Sequence, residues 1–172
     1  GGRKVAVWLG NLASQHARSS ELQALAQEIA RLCEGRFGFI GEAANSVGGH
    51  VAAALPSGVG LNAAAMIDQA RKAYILLGAE PDLDFANPAA TMAALSAAQL
   101  VVSLSSFDSA SLRQVADVIL PIAPFTETSG TFISCEARVQ SFNAVARPRG
   151  EVRPGWKVLR VLGNLLELEG FD

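Results

Sequence analysis

The stretch Ala116–Gln140, ADVILPIAPFTETSGTFISCEARVQ, decides the fold because it holds two β-rich segments separated by a turn. The apolar run at 118–120 predicts a buried strand, and Pro121 ends it because proline has no backbone N–H for a central ladder. After a turn rich in Thr, Glu, Ser and Gly, residues 131–133 predict a second strand. Together the two segments predict a hairpin, or arm, that leaves the sheet.

The chain before this stretch predicts an open, mostly parallel sheet. Apolar runs such as Lys4–Gly10 and Ala73–Gly78 alternate with helical patterns as far as Pro121. An uninterrupted apolar run is typical of a strand that is buried on both faces. Strand–helix–strand repeats with right-handed crossovers predict an α/β fold, here a Rossmann-like three-layer domain of four or five strands. The β-arm and an amphipathic C-terminal helix complete the prediction.

We expect one α/β domain over residues 1–172, with a Rossmann-like core over 1–121, a hairpin arm over 122–155 and a helix over 156–172. The segment over 41–60 is rich in glycine and long for a compact domain. We therefore expect most of it to lack regular structure, and we expect the segment to be either functional or an interface. Because the chain leads directly into a strand, we also expect a fragment of a longer subunit.

The composition limits the possible partners. Hydrophobic residues make up 50% and charged residues 17% of the chain, which indicates a surface covered by other parts of an assembly. A net charge of −2 provides no basic field for nucleic acid. No apolar window approaches the roughly 20 residues that span a bilayer. We expect no nucleic-acid binding, no direct membrane insertion and a cytoplasmic location.

The two cysteines, Cys33 and Cys135, lie far apart and neither belongs to a CxxC motif. Structural zinc sites and iron–sulfur clusters require about four ligands. His16 and His50 complete no such spacing. We expect two buried, reduced thiols and no metal site.

Polar residues follow several predicted strands, at the edge where open parallel sheets bind ligands. A dinucleotide phosphate requires glycine, helix N-termini and positive charge, whereas this edge is acidic, with no Lys or Arg close by in sequence. No G-x-G-x-x-G, G-x-x-x-x-G-K-[ST] or G-x-S-x-G motif occurs. We expect no catalytic residue and, at most, a vestigial strand-end rim of Asn11, Gly78, Glu80, Pro81, Ser105, Ser106 and Asp108.

The opening stretch also resembles the late signature of the molybdopterin-oxidoreductase family. The residues that carry the resemblance are Asp117, Pro121, Glu127, Gly130, Thr131, Glu136 and Arg138. Within the family, the pattern is most similar to the large iron–sulfur subunit of bacterial NADH-quinone oxidoreductases, the respiratory complex I. The resemblance covers most of the chain, weakly from residue 4 and strongly from about residue 74 to 160, and its most specific part is the stretch over 116–140. It implies a molybdopterin-type fold without an active molybdenum site.

Three departures distinguish this sequence from active members of the family. Gly78-Ala79-Glu80-Pro81 stands where active enzymes tend to carry Gly-x-Asn-Pro, and an ionised glutamate accepts hydrogen bonds but cannot donate them. In the later signature, Ser134 replaces an asparagine and Ala137 replaces a glycine. These changes imply that contact with a cofactor has been lost.

The resemblance implies a structural domain with no cofactor of its own. The parent subunit would take part in electron transfer from NADH to quinone and would bind its iron–sulfur clusters upstream. The implied partners are other domains of the same subunit and neighbouring complex I peripheral-arm subunits. The implied location is cytoplasmic, at the cytoplasmic face of the inner membrane.

Two other functions stay open. One is a cofactor-binding fragment of an active molybdopterin-dependent oxidoreductase, which predicts a guanine dinucleotide at the strand-end rim. The other is a nucleotide-binding module similar to the middle domain of thiamine-diphosphate enzymes, which predicts a phosphate or flavin site. For Glu136 and Arg138 the simplest interpretation is a cross-strand ion pair. The second is a fixed arm geometry on which a neighbouring domain docks.

Overall fold

The computed structural model describes residues 4–41 and 43–171. It confirms the predicted α/β class, with parallel sheets, a hairpin and a C-terminal helix. The strands are β1 (Ala6–Leu9), β2 (Arg36–Phe39), β3 (Ala73–Leu77), β4 (Leu100–Ser105), β5 (Val118–Pro121), β6 (Gly130–Ile133) and β7 (Val139–Phe142). The helices are α1 (Asn11–Ser14), α2 (Ser19–Leu32), α3 (Ser46–Val51), α4 (Ala63–Asp68), α5 (Pro88–Ser96), α6 (Ala110–Val115) and α7 (Gly155–Leu165).

The first five strands pair in parallel but form two sheets instead of the one expected. β1 pairs with β2, and β3, β4 and β5 form a second sheet with β4 at its centre. The chain divides accordingly into two compact units. The first unit contains the residues up to Ala54 and Thr131–Ser141, and the second contains Leu55–Gly130 and the residues from Phe142 onward. The predicted division at residues 121 and 155 stays a prediction.

The second unit contains the hydrophobic core of the chain. Alternate residues of the strands, among them Tyr74, Leu76 and Val101, pack with Leu95 of α5 and Leu112 of α6. This alternation follows from the strand geometry, which directs successive side chains to opposite faces of the sheet. The helices therefore cover one face of the three-stranded sheet.

Helix caps predicted from the sequence are present in the second unit. The side chain of Asn87 accepts a hydrogen bond from the backbone N–H of Ala90 at 3.1 Å, and Pro88 occupies the first turn of α5. The hydroxyl of Ser109 accepts one from the backbone N–H of Leu112 at 3.2 Å. These bonds satisfy N–H groups that have no partner inside the helix.

The opposite face of this sheet is only partly covered. Ile75, Leu77 and Leu120 are exposed, although each lies in a strand expected to be buried on both faces. Helix α7 begins here, with Gly155 beside the side chains of Leu77 and Ile122. A single helix is too narrow to cover three strands, which explains the exposure.

The first unit has little interior of its own. Its two fully buried apolar residues within the described part of the chain are Ala26 and Ala30, both on α2. β1 alternates between exposed and half-buried positions, so the prediction that Lys4–Gly10 is buried on both faces is wrong. A two-stranded sheet with one long helix has too few side chains to enclose a strand.

The segment over 41–60 contains one short helix, α3, in which Gly48 and Gly49 lie. Most of its described residues are in neither a helix nor a strand, as expected. One further expectation is wrong. Cys33 and Cys135 are both exposed free thiols, because one follows the last turn of α2 and the other lies in the turn between β6 and β7. Across residues 4–41 and 43–171, no helix is both long and apolar enough to cross a membrane.

Candidate functional site

The strand-end rim lies mainly at the carboxyl edge of the β3–β4–β5 sheet. Gly78 follows β3 with a φ of +61°, a left-handed conformation that favours glycine. Its backbone N–H donates to the carbonyl of Leu104 at 2.8 Å, which extends the ladder by one bond. Pro81 is fully buried. Both residues therefore shape the turn after β3.

The acidic loop after β3 uses its carboxylates within the protein. Asp84 Oδ2 accepts from the backbone N–H of Glu80 at 2.7 Å. Asp82 Oδ1 accepts from the hydroxyl of Ser111, at the start of α6. The second bond connects the loop after β3 to the helix after β4. Two of the carboxylates that make this edge acidic therefore have a structural role.

The serines that follow β4 are also engaged by the backbone. The hydroxyl of Ser105, which is buried, donates to the carbonyl of Phe107 at 2.7 Å and accepts from its N–H at 3.1 Å. The hydroxyl of Ser106 donates to the carbonyl of Ile122 at 3.0 Å. These bonds fix the turn after β4 and its separation from the end of β5.

Asp108 forms a two-bond ion pair with Arg113. The guanidinium Nε donates to Oδ1 at 2.7 Å, and Nη2 donates to Oδ2. This hydrogen bonding holds the pKa of Asp108 below its usual range and raises the pKa of Arg113. Both side chains are exposed, so water and salt screen the pair.

Arg113 is the residue of this edge that the sequence did not reveal. No Lys or Arg was expected near the rim, and that expectation is wrong. Asp108 immediately precedes the N-cap residue Ser109, and Arg113 lies one turn into α6. The two residues are five positions apart, outside the helical pair spacings of three and four. An Asp directly before a cap residue and an Arg in the helix that follows were the available signal.

A groove of about 370 Å³ opens at this edge. It does not include Glu80 or Pro81, and Asn11 belongs to the first unit. The three strands run in sequence order, so this sheet has no switch point of the kind where α/β folds bind ligands. The groove is lined by Ser105, Ser106, Phe107, Asp108, Arg113, Ile119 and Pro121.

These residues do not fit the phosphates of a dinucleotide cofactor. Among the described residues that line the groove, Arg113 is the cationic side chain, and it already pairs with Asp108. A second anion would compete with that carboxylate and would be repelled by it. Within residues 4–41 and 43–171, no group of three His, Cys, Asp or Glu side chains is arranged to hold a metal ion.

The signature residues Asp117 and Pro121 fix β5 against β4. Asp117 Oδ2 accepts from the backbone N–H of Val101 at 2.7 Å, and the backbone N–H of Asp117 donates to the carbonyl of Val101 at 2.9 Å. Pro121 lies opposite Ser105 on an edge strand, where proline is tolerated. Glu127 is half-buried in the single 3-10 turn that follows.

The signature continues into the hairpin. In β6, the hydroxyl of Thr131 lies 2.9 Å from that of Ser141 on β7. In the turn, the backbone N–H groups of Glu136 and Arg138 both donate to the hydroxyl of Ser134 at 3.3 Å. Glu136 and Arg138 form no ion pair in the described part of the chain. They lie two residues apart around a turn instead of facing each other across strands.

Ala137, which stands where the resemblance expects glycine, has a φ of +62°. Residues with a Cβ rarely adopt this left-handed conformation, whereas glycine adopts it without a steric penalty. The turn therefore retains a glycine geometry although the glycine has been replaced. The serine that replaces asparagine at 134 likewise still binds backbone N–H groups.

Asn45 connects the segment before α3 to the hairpin within the first unit. Its side-chain Oδ1 accepts from the backbone N–H of Ile133, 88 residues away, at 2.8 Å. A Cβ at position 48 would lie 2.0 Å from the same oxygen. Gly48 is thus required by the position of the Asn45 side chain. The sequence alone did not indicate this role for either residue.

Comparison with known proteins gives a consistent result. Residues 3–165 match the family model described as molybdopterin oxidoreductase. A Shewanella oneidensis protein, named as the G subunit of NADH-quinone oxidoreductase, is 33% identical over 168 residues, 91% of this chain. A Mycobacterium bovis protein of the same name is 40% identical over 99 residues, 55% of this chain. A Staphylococcus aureus protein named as a putative formate dehydrogenase is 42% identical over 57 residues, 33% of this chain.

The aligned segments are small parts of these relatives. They amount to 18% of the Shewanella protein, 12% of the Mycobacterium protein and 6% of the Staphylococcus protein. Most of each relative therefore has no counterpart in these 172 residues.

Proposed function

This chain belongs to the molybdopterin oxidoreductase family, and on that premise we propose that it is a structural domain of the large iron–sulfur subunit of a bacterial NADH:quinone oxidoreductase. The parent subunit takes part in electron transfer from NADH to quinone. The chain itself carries no catalytic group and binds no cofactor. Relatives named as the G subunit of NADH-quinone oxidoreductase, one of them aligned over 91% of the chain, support this assignment.

The observation that carries the proposal is the use of the strand-end side chains within the protein. Asp108 pairs with Arg113, Asp82 accepts from Ser111, and the hydroxyl of Ser106 donates to a backbone carbonyl. A cofactor site needs a few polar groups that converge on the ligand. Here such groups hold the loops of the fold in place.

The proposal assigns the chain to a larger assembly. The iron–sulfur clusters of the parent subunit lie upstream, in domains outside this chain. The partners are those other domains and the neighbouring subunits of the peripheral arm of complex I. The complex holds the chain at the cytoplasmic face of the inner membrane. An apolar fraction of 50% and partly open sheet faces support a role in which partner surfaces cover this chain.

A second function is supported by the family match and by the relative named as a putative formate dehydrogenase. In it the chain is the cofactor-binding fragment of an active molybdopterin-dependent oxidoreductase. That function requires a guanine dinucleotide at the edge formed by the ends of β3 and β4. The pairing of Arg113 with Asp108 weighs against it, because no other cation among the described residues lines the groove at that edge.

The proposal is tested in an intact NADH:quinone oxidoreductase whose iron–sulfur subunit contains this chain. Asp108→Asn with Arg113→Gln removes the ion pair at the groove, and we expect an unchanged electron-transfer rate per assembled complex. Leu112→Ala, which disturbs the core, should reduce the amount of assembled complex but not the rate of each complex. A lower rate per complex in the Asp108 and Arg113 variant would contradict the proposal and favour the second function.

A further inference from the structure

Helix α7 and the end of β5 border an apolar groove of about 670 Å³, entirely within the second unit. Two of its residues, Trp156 and Leu165, expose 54% and 76% of their surface. On α7, Val158, Val161, Leu162 and Leu165 are three or four residues apart, which places these four in one continuous strip. The apolar side chains that line the groove are those of Leu120, Trp156, Val158, Val161, Leu162 and Leu165.

Three cationic side chains line the same groove: Arg153, Lys157 and Arg160. The Lys157 ammonium lies 5.3 Å from the centre of the Trp156 ring, and Arg153 donates to the backbone carbonyl of Val152 at 3.2 Å. Within residues 4–41 and 43–171, none of the three pairs with a carboxylate.

Ion pairing alone does not distinguish these three cations. Arg18, Arg31 and Arg113 each form an ion pair with a nearby carboxylate, whereas most of the other described cations form none. The cations at 153, 157 and 160 are distinguished by their position beside an exposed apolar strip.

We infer that this groove binds a polypeptide segment whose apolar side chains are flanked by carboxylates. The apolar strip buries the apolar side chains of the segment, as in recognition of an amphipathic helix in a groove. The cations at 153, 157 and 160 pair with its carboxylates and set its orientation. The inference rests on the proposed function, and it specifies by chemistry which part of the parent assembly docks here.

The shape of the surface favours a polypeptide over a membrane. An interfacial helix inserts protruding apolar side chains into the bilayer, whereas these side chains line a concavity between α7 and β5. A concave apolar site with a few charged groups at its border is the usual form of a binding pocket.

The test uses the 172-residue chain and two synthetic amphipathic helices of about 18 residues, long enough for five turns, one of Leu and Glu and one of Leu and Lys. In a Trp8→Phe background the fluorescence of Trp156 reports binding. We expect the Glu peptide to shift the emission to the blue and to bind about tenfold more tightly than the Lys peptide. Lys157→Gln with Arg160→Gln should weaken the binding about tenfold, as expected from two exposed ion pairs.

The matched control is Arg147→Gln with Arg149→Gln, which removes the same charge from exposed residues of the second unit outside the groove. It should leave the affinity unchanged. Equal binding of the two peptides, or no binding, would overturn the inference. Binding only to phosphatidylglycerol vesicles would overturn it in favour of a membrane surface, and a mass that doubles with concentration would overturn it in favour of a second copy of the chain.

A carbodiimide cross-link in the intact complex separates this inference from the proposed function. Lys157 should couple to an Asp or Glu outside this chain, and the exposed Lys72 is the control lysine. If Lys157 couples to a carboxylate of a protein unrelated to NADH:quinone oxidoreductase, the inference about the groove stands and the proposed function is wrong. If the isolated chain does not bind the Glu peptide, the inferred binding at the groove is wrong and the proposed function is unaffected.

Discussion

The two units of this chain differ in how they bury apolar side chains. The second unit encloses Leu95, Val101, Leu104 and Leu112 almost completely, whereas the fully buried apolar residues described in the first unit are two alanines. Both units contain parallel strands and amphipathic helices, so the difference does not arise from the type of secondary structure. It arises because the second sheet has three strands and several covering helices, and the first has two strands and one long helix.

The comparison of the two units shows that an amphipathic sequence pattern does not by itself produce an enclosed hydrophobic core. α2 has a clear apolar stripe, yet Leu25, Ile29 and Leu32 remain exposed. By itself the first unit resembles an isolated two-stranded ribbon, which is only marginally stable in water. Its order depends on specific polar bonds, such as that between Asn45 and Ile133.

We expect the largest effect on the free energy of unfolding when two helical leucines, one from each unit, are replaced and compared. Leu112 in α6 is 0% exposed, and Leu25 in α2 is 59% exposed. Leu112→Ala should lower the free energy of unfolding by about 2–5 kcal/mol, because it removes buried methyl groups and leaves a cavity. Leu25→Ala should change it by less than about 0.5 kcal/mol. Urea denaturation of both variants measures the difference, and equal losses would contradict the contrast between the units.

A smaller effect is expected at two adjacent glycines of α3. Gly49→Ala meets no atom within 4 Å and should stabilise the helix by about 0.5–1 kcal/mol. At position 48 the added methyl forces Asn45 to rotate and break its bond to Ile133. Gly48→Ala should therefore be less stable than Gly49→Ala by about 1–2 kcal/mol.

The control for the glycine pair is an Asn45→Ala background. Removal of the Asn45 side chain removes the three atoms nearest to the methyl at position 48, so the stabilities of the two alanine variants should converge. A difference that persists in this background would show that Asn45 is not the cause. Urea denaturation of the four variants measures each step.

The core of the second unit contains one polar atom whose removal should increase stability. The hydroxyl of Ser103, on β4, is fully buried and forms no hydrogen bond in the described part of the chain. Ser103→Ala should raise the free energy of unfolding by about 1 kcal/mol, since the unsatisfied hydroxyl loses its hydration on folding. Ser105→Ala, two residues on, should lower it by a similar amount, because its hydroxyl bonds Phe107. Destabilisation by Ser103→Ala would indicate that its hydroxyl has a partner.

The smallest effect concerns the exposed ion pair at the groove. Arg113 lowers the pKa of Asp108, so this carboxylate stabilises the fold above its unfolded-state pKa. That contribution is lost as the pH falls below the ordinary Asp range of about 4 and through the lowered value. In Arg113→Gln, NMR titration should show the pKa of Asp108 returning upward toward that range. An unchanged pKa would indicate that Arg113 does not contact Asp108 in solution.

Much of the fold could be predicted because its elements are encoded locally. The apolar runs indicate the strands, Asn87 and Ser109 indicate helix starts, and Pro121 marks the end of an edge strand. The division of five strands into two sheets could not be predicted, because the apolar residues of a strand do not determine which other strand it pairs with. The sequence of β1 is as apolar as that of β3, but β3 has one buried face, with Tyr74 and Leu76, and β1 has none.

At the candidate site, too, only the features that are set by local sequence could be predicted. The residue types at the strand ends predicted an acidic edge, and the acidic loop after β3 agrees with it. The pairing of Asp108 with Arg113 was missed because it depends on where α6 begins. The bond from Asn45 to Ile133 spans 88 residues, and no local pattern indicates such a contact. The exposure of Cys33 and Cys135 depends on turns whose surroundings are set by tertiary structure.

The most direct test of a structural role without a cofactor is the native mass of the chain, with molybdenum and iron analysis, after production in a host that makes molybdenum cofactor. Our account predicts a mass of 17.9 kDa, without molybdenum or iron. Stoichiometric molybdenum, or additional mass corresponding to a guanine dinucleotide, would contradict it. Either result would favour the second function, in which a cofactor binds at the edge formed by the ends of β3 and β4.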